Sequence, residues 1–361
     1  MRRGARCMVN APGLFCGERT DLLRRAVLNL AKLRDLYKFT SVNMDVRDLE
    51  GKDMTLNRRE FVAGLVASAS APTASLAKAV GSGQLTLGDM QVMTLSDGHL
   101  TLPRAMLFAG LEPDAVDQIL QSRGVPGGPI HPPINVTLLR HAGRVVLFDA
   151  GSGPGFQNTA GQLTSALDAA GVAPEEVSHV VFTHCHPDHL WGVLDDFDDP
   201  LFPNAEYLMG EAEWAYWFDP NTASTISGDR ASMAVGARRR LEVMEERLSR
   251  FKDGQEVLPG VAAHASYGHT PGHMSFQLRD GQKSLLIGGD AIGNHHVSFA
   301  KPEWSIGTDQ DGELAGKTRA RLLDMLAHEQ MQLIGYHFPN GGIGRVEAVQ
   351  GAYRFVPSYG E

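Results

Sequence analysis

Thr183-His184-Cys185-His186-Pro187-Asp188-His189 decides how this chain is read. Three imidazoles and a carboxylate fall within six residues, directly after the apolar run Val180-Val181-Phe182. Imidazole suits zinc and other late first-row metals, and carboxylate suits harder ones. Both can bind zinc, at about 2.0–2.2 Å. His184 and His186 stand two apart, so an extended backbone points both to one side. Pro187 favours a bend, after which Asp188 and His189 can aim at a second metal.

Three later segments supply further ligands. Gly268-His269-Thr270-Pro271-Gly272-His273 places a histidine in a turn after the apolar run Val261-Ala262-Ala263. Leu285-Leu286-Ile287-Gly288-Gly289-Asp290 ends a strand-like run on an aspartate, and Leu333-Ile334-Gly335-Tyr336-His337 ends another on a histidine. Each candidate follows an expected strand, as in sites built on loops held by a rigid sheet. Five histidines and two aspartates suffice for two metals sharing one carboxylate.

The ordered set resembles that of the metallo-β-lactamase-fold hydrolases, HxHxDH followed by a distant His, an Asp and a His. The resemblance spans roughly residues 88–357. It implies that His184, His186 and His269 hold a first metal, that Asp188, His189 and His337 hold a second, and that Asp290 bridges them. The pair would be two divalent ions, zinc first, with Mn, Fe or Co as alternatives. Asp149, in Phe148-Asp149-Ala150-Gly151, matches the family's Asp-x-Gly turn beside the ligands, where an acceptor fixes histidine tautomer and orientation. His273 is read as a supporting histidine rather than a ligand.

Gly88-Asp89-Met90, Leu95-Ser96-Asp97-Gly98 and the tail Tyr353-Arg354-Phe355-Val356-Pro357 look like the periplasmic branch that includes methyl parathion hydrolase. True β-lactamases usually carry Cys or Ser where Asp290 stands. Many acyl-homoserine lactonases have a Tyr three residues after the bridging Asp, where this chain has Gly293. The family usually reads Asp-His-x-Gly-Gly; here Trp191 replaces a glycine in Asp188-His189-Leu190-Trp191-Gly192. A substrate pocket walled by Trp191 and Trp217, with His295, His296 and Trp304 at its mouth, is the corresponding expectation. Trp217 also has a core reading, because it lies three residues from Trp214 on one helix face. Cys185, between two ligands, should point away from them into the packed wall.

The 361 residues are 43% hydrophobic and 21% charged, ordinary for a globular protein. No run of 18 or more apolar residues appears, so stable membrane insertion is not expected. Thr55-Leu56-Asn57-Arg58-Arg59-Glu60-Phe61-Val62 looks like a twin-arginine export signal, with a cleavage site near Ala77-Lys78-Ala79. Residues 54–79 are then a signal peptide, 1–53 an upstream extension ahead of a start at Met54, and 80–361 a hydrolase domain exported to the periplasm or beyond. N-terminal sequencing of the cellular protein checks this, and a protein beginning at Met1 would refute it. Residues 1–77 hold 13 basic and 8 acidic residues, which leaves 33 − 13 = 20 basic against 42 − 8 = 34 acidic, a net charge of −14. Such a body repels phosphate backbones and disfavours nucleic acid. Only Cys185 lies beyond that segment, so no disulfide is expected there.

Strands are expected as a pair over 88–103 turning at Asp97-Gly98, then a hairpin around Ala142-Gly143, then 177–183 and 205–209, and later 261–266, 274–279, 284–289 and 332–336. Helices are expected at 159–170, 231–248 and 313–328. Strands then helix, twice over, imply an α/β fold of two mixed sheets face to face with helices on the outer faces, an αββα sandwich. The Gly- and Pro-rich stretch Gln121–Pro133 reads as a loop and candidate lid. There is no G-x-S-x-G elbow and no G-x-x-x-x-G-K phosphate cradle. The chemistry expected is hydrolysis of a small neutral ester, lactone or phosphotriester, with Asp188 or Asp290 moving the proton. An acyl-homoserine-lactone-type lactonase, a non-catalytic metal-binding scaffold and a homodimer are left open.

Overall fold

The computed structural model describes residues 83–358 apart from Ser227, together with the backbone of 44–47 and 53–56. Two units separate, Met1–Pro72 and Thr73–Glu361. In the first, β1 (Met44–Arg47) pairs antiparallel with β2 (Asp53–Leu56). The twin-arginine pair Arg58-Arg59 and the cleavage region lie outside the described residues.

The second unit carries two seven-stranded mixed sheets. One runs in chain order through β3 (Gln84–Leu87), β4 (Met90–His99), β5 (Pro133–His141), β6 (Arg144–Phe148), β7 (His179–Val181), β8 (Glu206–Gly210) and β9 (Leu248–Phe251). It is antiparallel as far as β6 and parallel from β6 to β9. The other contains β10 (Glu256–Leu258), β11 (Val261–Ala265), β12 (Met274–Asp280), β13 (Lys283–Ile287), β14 (Gln332–Ile334), β15 (Ile343–Val349) and β16 (Ala352–Pro357). There β13 and β14 are parallel and the other neighbours antiparallel.

Period-two alternation builds the layers. Val146 and Phe148 face a core shared with Phe276, Leu285, Ile287 and Ile334 of the other sheet, and the rings of Phe148 and Phe276 meet at 5.3 Å. The alternate residues Leu147, Val180, Tyr207 and Met209 face outward onto a second core with Leu163, Leu167, Trp217 and Leu241 from helices. Leu286 and Leu333 face outward on the other side, onto Leu322, Leu323 and Leu326 of the helix Gly312–Glu329. The result is the expected αββα sandwich. A satellite cluster of Leu107, Val116, Leu120, Val297 and Ile306 includes the helix Pro113–Ser122, which the sequence reading did not anticipate.

The expected turn at Asp97-Gly98 is instead a bulge within one long strand, because β4 runs on to His99 with a register shift between Ser96 and Gly98. Asp97 is buried and accepts from Ser152 N and Oγ, Gly161 N and Leu163 N. Gly98 has φ +102°, and a Cβ there would collide with the carbonyl of Thr159. Asp and Gly therefore serve here a carboxylate hub and a close backbone approach, not a hairpin. The stretch expected as a lid is tied down: Leu102 and Ile130 form a backbone bridge, and Arg104 donates to Gly128 O and Pro126 O.

Candidate metal centre

The ligand candidates sit where strands end. His184 follows β7, His269 follows β11, Asp290 follows β13 and His337 follows β14. Parallel pairing sends β6 and β7 out at one edge and β13 and β14 out together, so their following loops converge. Two ties join the sheets at this rim. Asn135 of β5 donates through Nδ2 to Tyr336 O at 2.9 Å and Phe338 O at 2.8 Å, and Met274 N donates to Thr183 O at 2.9 Å.

Hydrogen bonding behind the ring fixes which nitrogen faces inward. His189 Nδ1 donates to Asp149 Oδ2 at 2.8 Å, and His337 Nδ1 to Pro133 O at 2.8 Å. His269 Nδ1 lies 3.3 Å from Asp309 Oδ1. Thr183 Oγ1 donates to Asp149 Oδ2, leaving its lone pair for His184 Nδ1 at 3.0 Å. With each Nδ1 turned to its partner behind the ring, the Nε2 atoms of His184, His189, His269 and His337 are the ones that face the interior. His186 contributes Nδ1, which is 3.0 Å from His184 Nε2 and 2.9 Å from His269 Nε2. Tetrahedral ligands at zinc distances would stand about 3.3 Å apart, so these separations fit a shared cation.

Three overlapping groups could each hold a metal ion: His184, His186 and His269; His184, His189 and Asp290; and Asp188, His189 and His337. Asp290 Oδ2 lies 3.5 Å from His269 Nε2 and 3.2 Å from His337 Nε2, and its Oδ1 lies 3.3 Å from His189 Nε2. Asp188 Oδ2, His189 Nε2 and Asp290 Oδ1 are buried without a hydrogen-bond partner. Each such atom costs roughly 1–3 kcal/mol if left unsatisfied, so three neighbours, with His189 Nε2 3.5 Å from Asp188 Oδ2 and 3.3 Å from Asp290 Oδ1, fit cation ligands.

The charge pattern agrees. Burial, helped by neighbouring imidazoles, holds His184 well below the ordinary histidine value and His186 at about 3. Burial would lower His189 too, but Asp290, Asp188 and Asp149 prevail and push it up to about 10. His337 is raised well above the ordinary value against burial, by Asp290 and Asp188. A cation binding there must displace both protons. Both values are raised, so the protons are held at neutral pH and the competition weakens only as pH climbs toward that range. Zinc affinity, measured by chelator competition, should therefore rise roughly tenfold or more per unit between about pH 6 and 8. A flat profile would contradict this proton displacement.

Other expected residues fall differently. Asp149 sits behind His189 in a left-handed turn at φ 67°. His273 Nε2 accepts from Asp290 N at 3.0 Å, and its Nδ1 contacts Ser266 Oγ, so it positions the backbone of Asp290. Cys185 is buried with its Sγ 3.5 Å from Met209 Sδ, away from the ligand atoms. Trp217 is fully buried beneath His186, its Nε1 donating to Glu213 Oε1 at 2.6 Å; its core reading holds and it does not line the cavity. Trp191, His295, His296 and Trp304 do not line it either. The rings of His295 and His296 meet at 3.9 Å, tilted by 44°, and Trp304 packs against the satellite cluster.

Trp191 turns toward the helix Asp229–Met244, where Gly236 leaves room for it. A Cβ on Gly236 would lie 2.5 Å from Trp191 Cζ2, and Arg240 stacks on the indole at 4.5 Å. The unusual tryptophan is thus matched by a glycine across the contact. Gly236→Ala should cost about 1–3 kcal/mol through overpacking, read by thermal melting. An unchanged melting temperature would show that the indole is free to move aside.

Four buried residues escaped the sequence reading. Glu213 accepts from Cys185 N, Trp217 Nε1, Thr270 Oγ1 and Gly272 N, so one carboxylate clamps the His184–His186 and His269 loops. Its one signal was a carboxylate directly ahead of the aromatic run Trp214–Phe218. Tyr336 stacks on His189 at 3.8 Å and donates its hydroxyl to Asp188 O at 2.7 Å. Asp309 joins His269 to the buried Arg319. Neither Asp309 nor Arg319 carried any local signal.

The ligand groups form the floor of a cavity of about 610 Å³. Leu100, Leu102, Met106, Phe156, Ile226 and Met233 give it apolar walls, and His186, Asp188, His269, Asp290 and His337 line its base. Residues 131–330, more than half of the chain, match the family model of the metallo-beta-lactamase superfamily. The chain belongs to this superfamily. Among solved structures, it is similar to the hydrolase AbOPH of the beta-lactamase superfamily, with 27% identity and a TM-score of 0.73 over 78% of this chain and 99% of that one. The dizinc quorum-quenching lactonase AidC, in complex with a product, shares 22% identity at a TM-score of 0.73 over 78% and 98% of the two chains. A probable metal-dependent hydrolase from Staphylococcus aureus shares 19% identity at a TM-score of 0.60 over 76% and 100%. The last two likenesses speak to the fold alone. A sequence search of the curated proteins found no match. For this superfamily member, the solved structures repeat the two-sheet frame just described.

Proposed function

We propose that this superfamily member is a binuclear metal-dependent hydrolase acting on a small, partly apolar ester, lactone or phosphotriester. The observation that carries this is the set of three buried, unpartnered ligand atoms at the base of an apolar-walled cavity. His184, His186 and His269 would hold one divalent ion, Asp188, His189 and His337 a second, and Asp290 both; zinc is the first expectation. Bound there, divalent ions would supply an activated water at neutral pH and stabilise charge on the reacting oxygens.

The chain's own groups do the rest. The apolar walls hold the substrate and exclude water. Asp188 and Asp290 both line the cavity, so either carboxylate can take a proton and deliver it to the leaving group. Asp149, Asp309 and the carbonyl of Pro133 hold the imidazoles in the tautomer that keeps Nε2 free. Export through the twin-arginine pathway belongs to the same proposal and rests on Arg58-Arg59 in their sequence context.

Purified protein reconstituted with zinc or manganese should turn over at least one of an aryl ester, a lactone and a paraoxon-type triester. Silence on all three, with metal bound, would favour a non-catalytic metal-binding scaffold. Gly293 lines the cavity where many acyl-homoserine lactonases have a tyrosine, so a lactonase of this chain would work without that hydroxyl.

A further inference from the structure

Arg230 has no role in the metal site, yet it lines the same cavity. It stands in the first turn of the helix Asp229–Met244 and is half-buried. Its Nη2 donates to Gly307 O at 3.0 Å and to Asp309 O at 2.9 Å. Those two bonds fix the guanidinium against the 307–310 wall and use one of its three nitrogens. A guanidinium has five N–H donors in a rigid fork, so Nη1 and Nε keep theirs. Among the described residues Arg230 has no carboxylate within ion-pair distance, whereas Arg104, Arg238, Arg239, Arg319 and Arg354 each have one. Apart from the histidines, it is the one cationic side chain among the described residues that line the cavity.

A second observation points the same way. Gln310 lines the cavity from the wall that Arg230 clamps, and its Nε2 is buried with no hydrogen-bond partner. The cavity's carboxylates, Asp188 and Asp290, are taken up in the ligand set. A buried amide donor and an unpaired guanidinium on one wall therefore face a cavity whose remaining wall is largely apolar. Planar oxyanions satisfy such a pair, and a carboxylate matches the arginine fork bidentately.

We infer that the substrate carries a carboxylate, seated on Arg230 and Gln310 while its scissile bond lies over the base formed by His186, Asp188, Asp290 and His337. The inference rests on the hydrolase reading and sharpens it. The acidic body argues for a neutral substrate at long range, and Arg230 supplies a local exception where the field of the surface is screened. The apolar walls then span the middle of the molecule.

The test compares 4-nitrophenyl hexanoate with the 4-nitrophenyl monoester of adipic acid, which differs by a terminal carboxylate, in the zinc-loaded protein. The wild-type protein should favour the adipate ester, and Arg230→Gln should lower the adipate-to-hexanoate ratio of kcat/KM at least tenfold, mostly through KM. Arg230→Lys, which keeps the charge without the fork, should give an intermediate ratio, and it also serves if Arg230→Gln does not fold. Gln310→Leu should move the ratio in the same direction. A ratio unchanged in all three variants would overturn the inference and leave Arg230 as a strap for the 307–310 wall. If the wild-type protein turns over neither ester, the hydrolase reading is what suffers. Calorimetric binding then decides the inference separately: monomethyl adipate should bind more tightly than the neutral methyl hexanoate, by a margin that Arg230→Gln removes, and equal binding would overturn it.

Discussion

Asp290→Ala should reduce turnover by about 10³-fold or more, since several kcal/mol of transition-state stabilisation comes from a correctly held metal pair and each 1.36 kcal/mol is tenfold. Asp290 reaches His189, His269 and His337 within 3.2–3.5 Å, so it is the carboxylate that touches both halves of the ligand ring. Burial opposes its charge, but His337 and His189 hold it ionised, well below the usual carboxylate range. Its loss would remove the proposed shared ligand and one counter-charge of the histidines around it, leaving His189 and His337 with Asp188 and His269 with Asp309. Metal content should drop from about two ions per chain toward one, as judged by elemental analysis after gel filtration. A variant that kept both full metal loading and activity within about tenfold of the wild-type protein would remove Asp290 from the bridging role.

Glu213→Ala should be the most destabilising single change at the site, although Glu213 is not a ligand candidate. Four donors point at its carboxylate from three segments: Cys185 N between two ligands, Trp217 Nε1, and Thr270 Oγ1 with Gly272 N beyond His269. Burial pushes its carboxyl up, and these four bonds work against that shift. Alanine leaves four buried donors unpaired, each worth roughly 1–3 kcal/mol, so a loss above about 4 kcal/mol is expected even with partial relaxation. Glu213→Gln keeps the shape but turns one acceptor into a donor, so it should recover only part of the loss. Urea unfolding of the metal-free variants measures this apart from metal binding. A loss under about 1 kcal/mol for Glu213→Ala would show that water or backbone rearrangement satisfies the donors.

The ligand set was legible because its signal is local. Each candidate follows a short continuous apolar run, the pattern of a strand buried on both faces, whose end lies at the sheet's rim. Ala142-Gly143 gave its hairpin through Gly143, which adopts φ 74° freely, while Ala142 follows at φ 47°, a left-handed value that a Cβ disfavours. Asp97-Gly98 misled, because the same pair of residues also serves a bulge whose buried carboxylate binds backbone from 55–66 positions away.

The sequence by itself determined the kind of site: the residue types, their order, and the alternation that packs two sheets between helices. These follow from covalent neighbours, whose geometry a strand or turn repeats wherever it occurs. Only the tertiary structure decided what surrounds the site. Trp191 became a helix contact because Gly236, 45 positions away, vacates its space. Trp217 went beneath His186 because Glu213 holds its indole nitrogen. Asp309, Arg230 and Gln310 entered because the helix Asp229–Met244 and the 307–310 wall meet across the cavity. Which distant side chain fills a space, or leaves a donor unpaired, is fixed by packing against the whole fold, and no local periodicity encodes it.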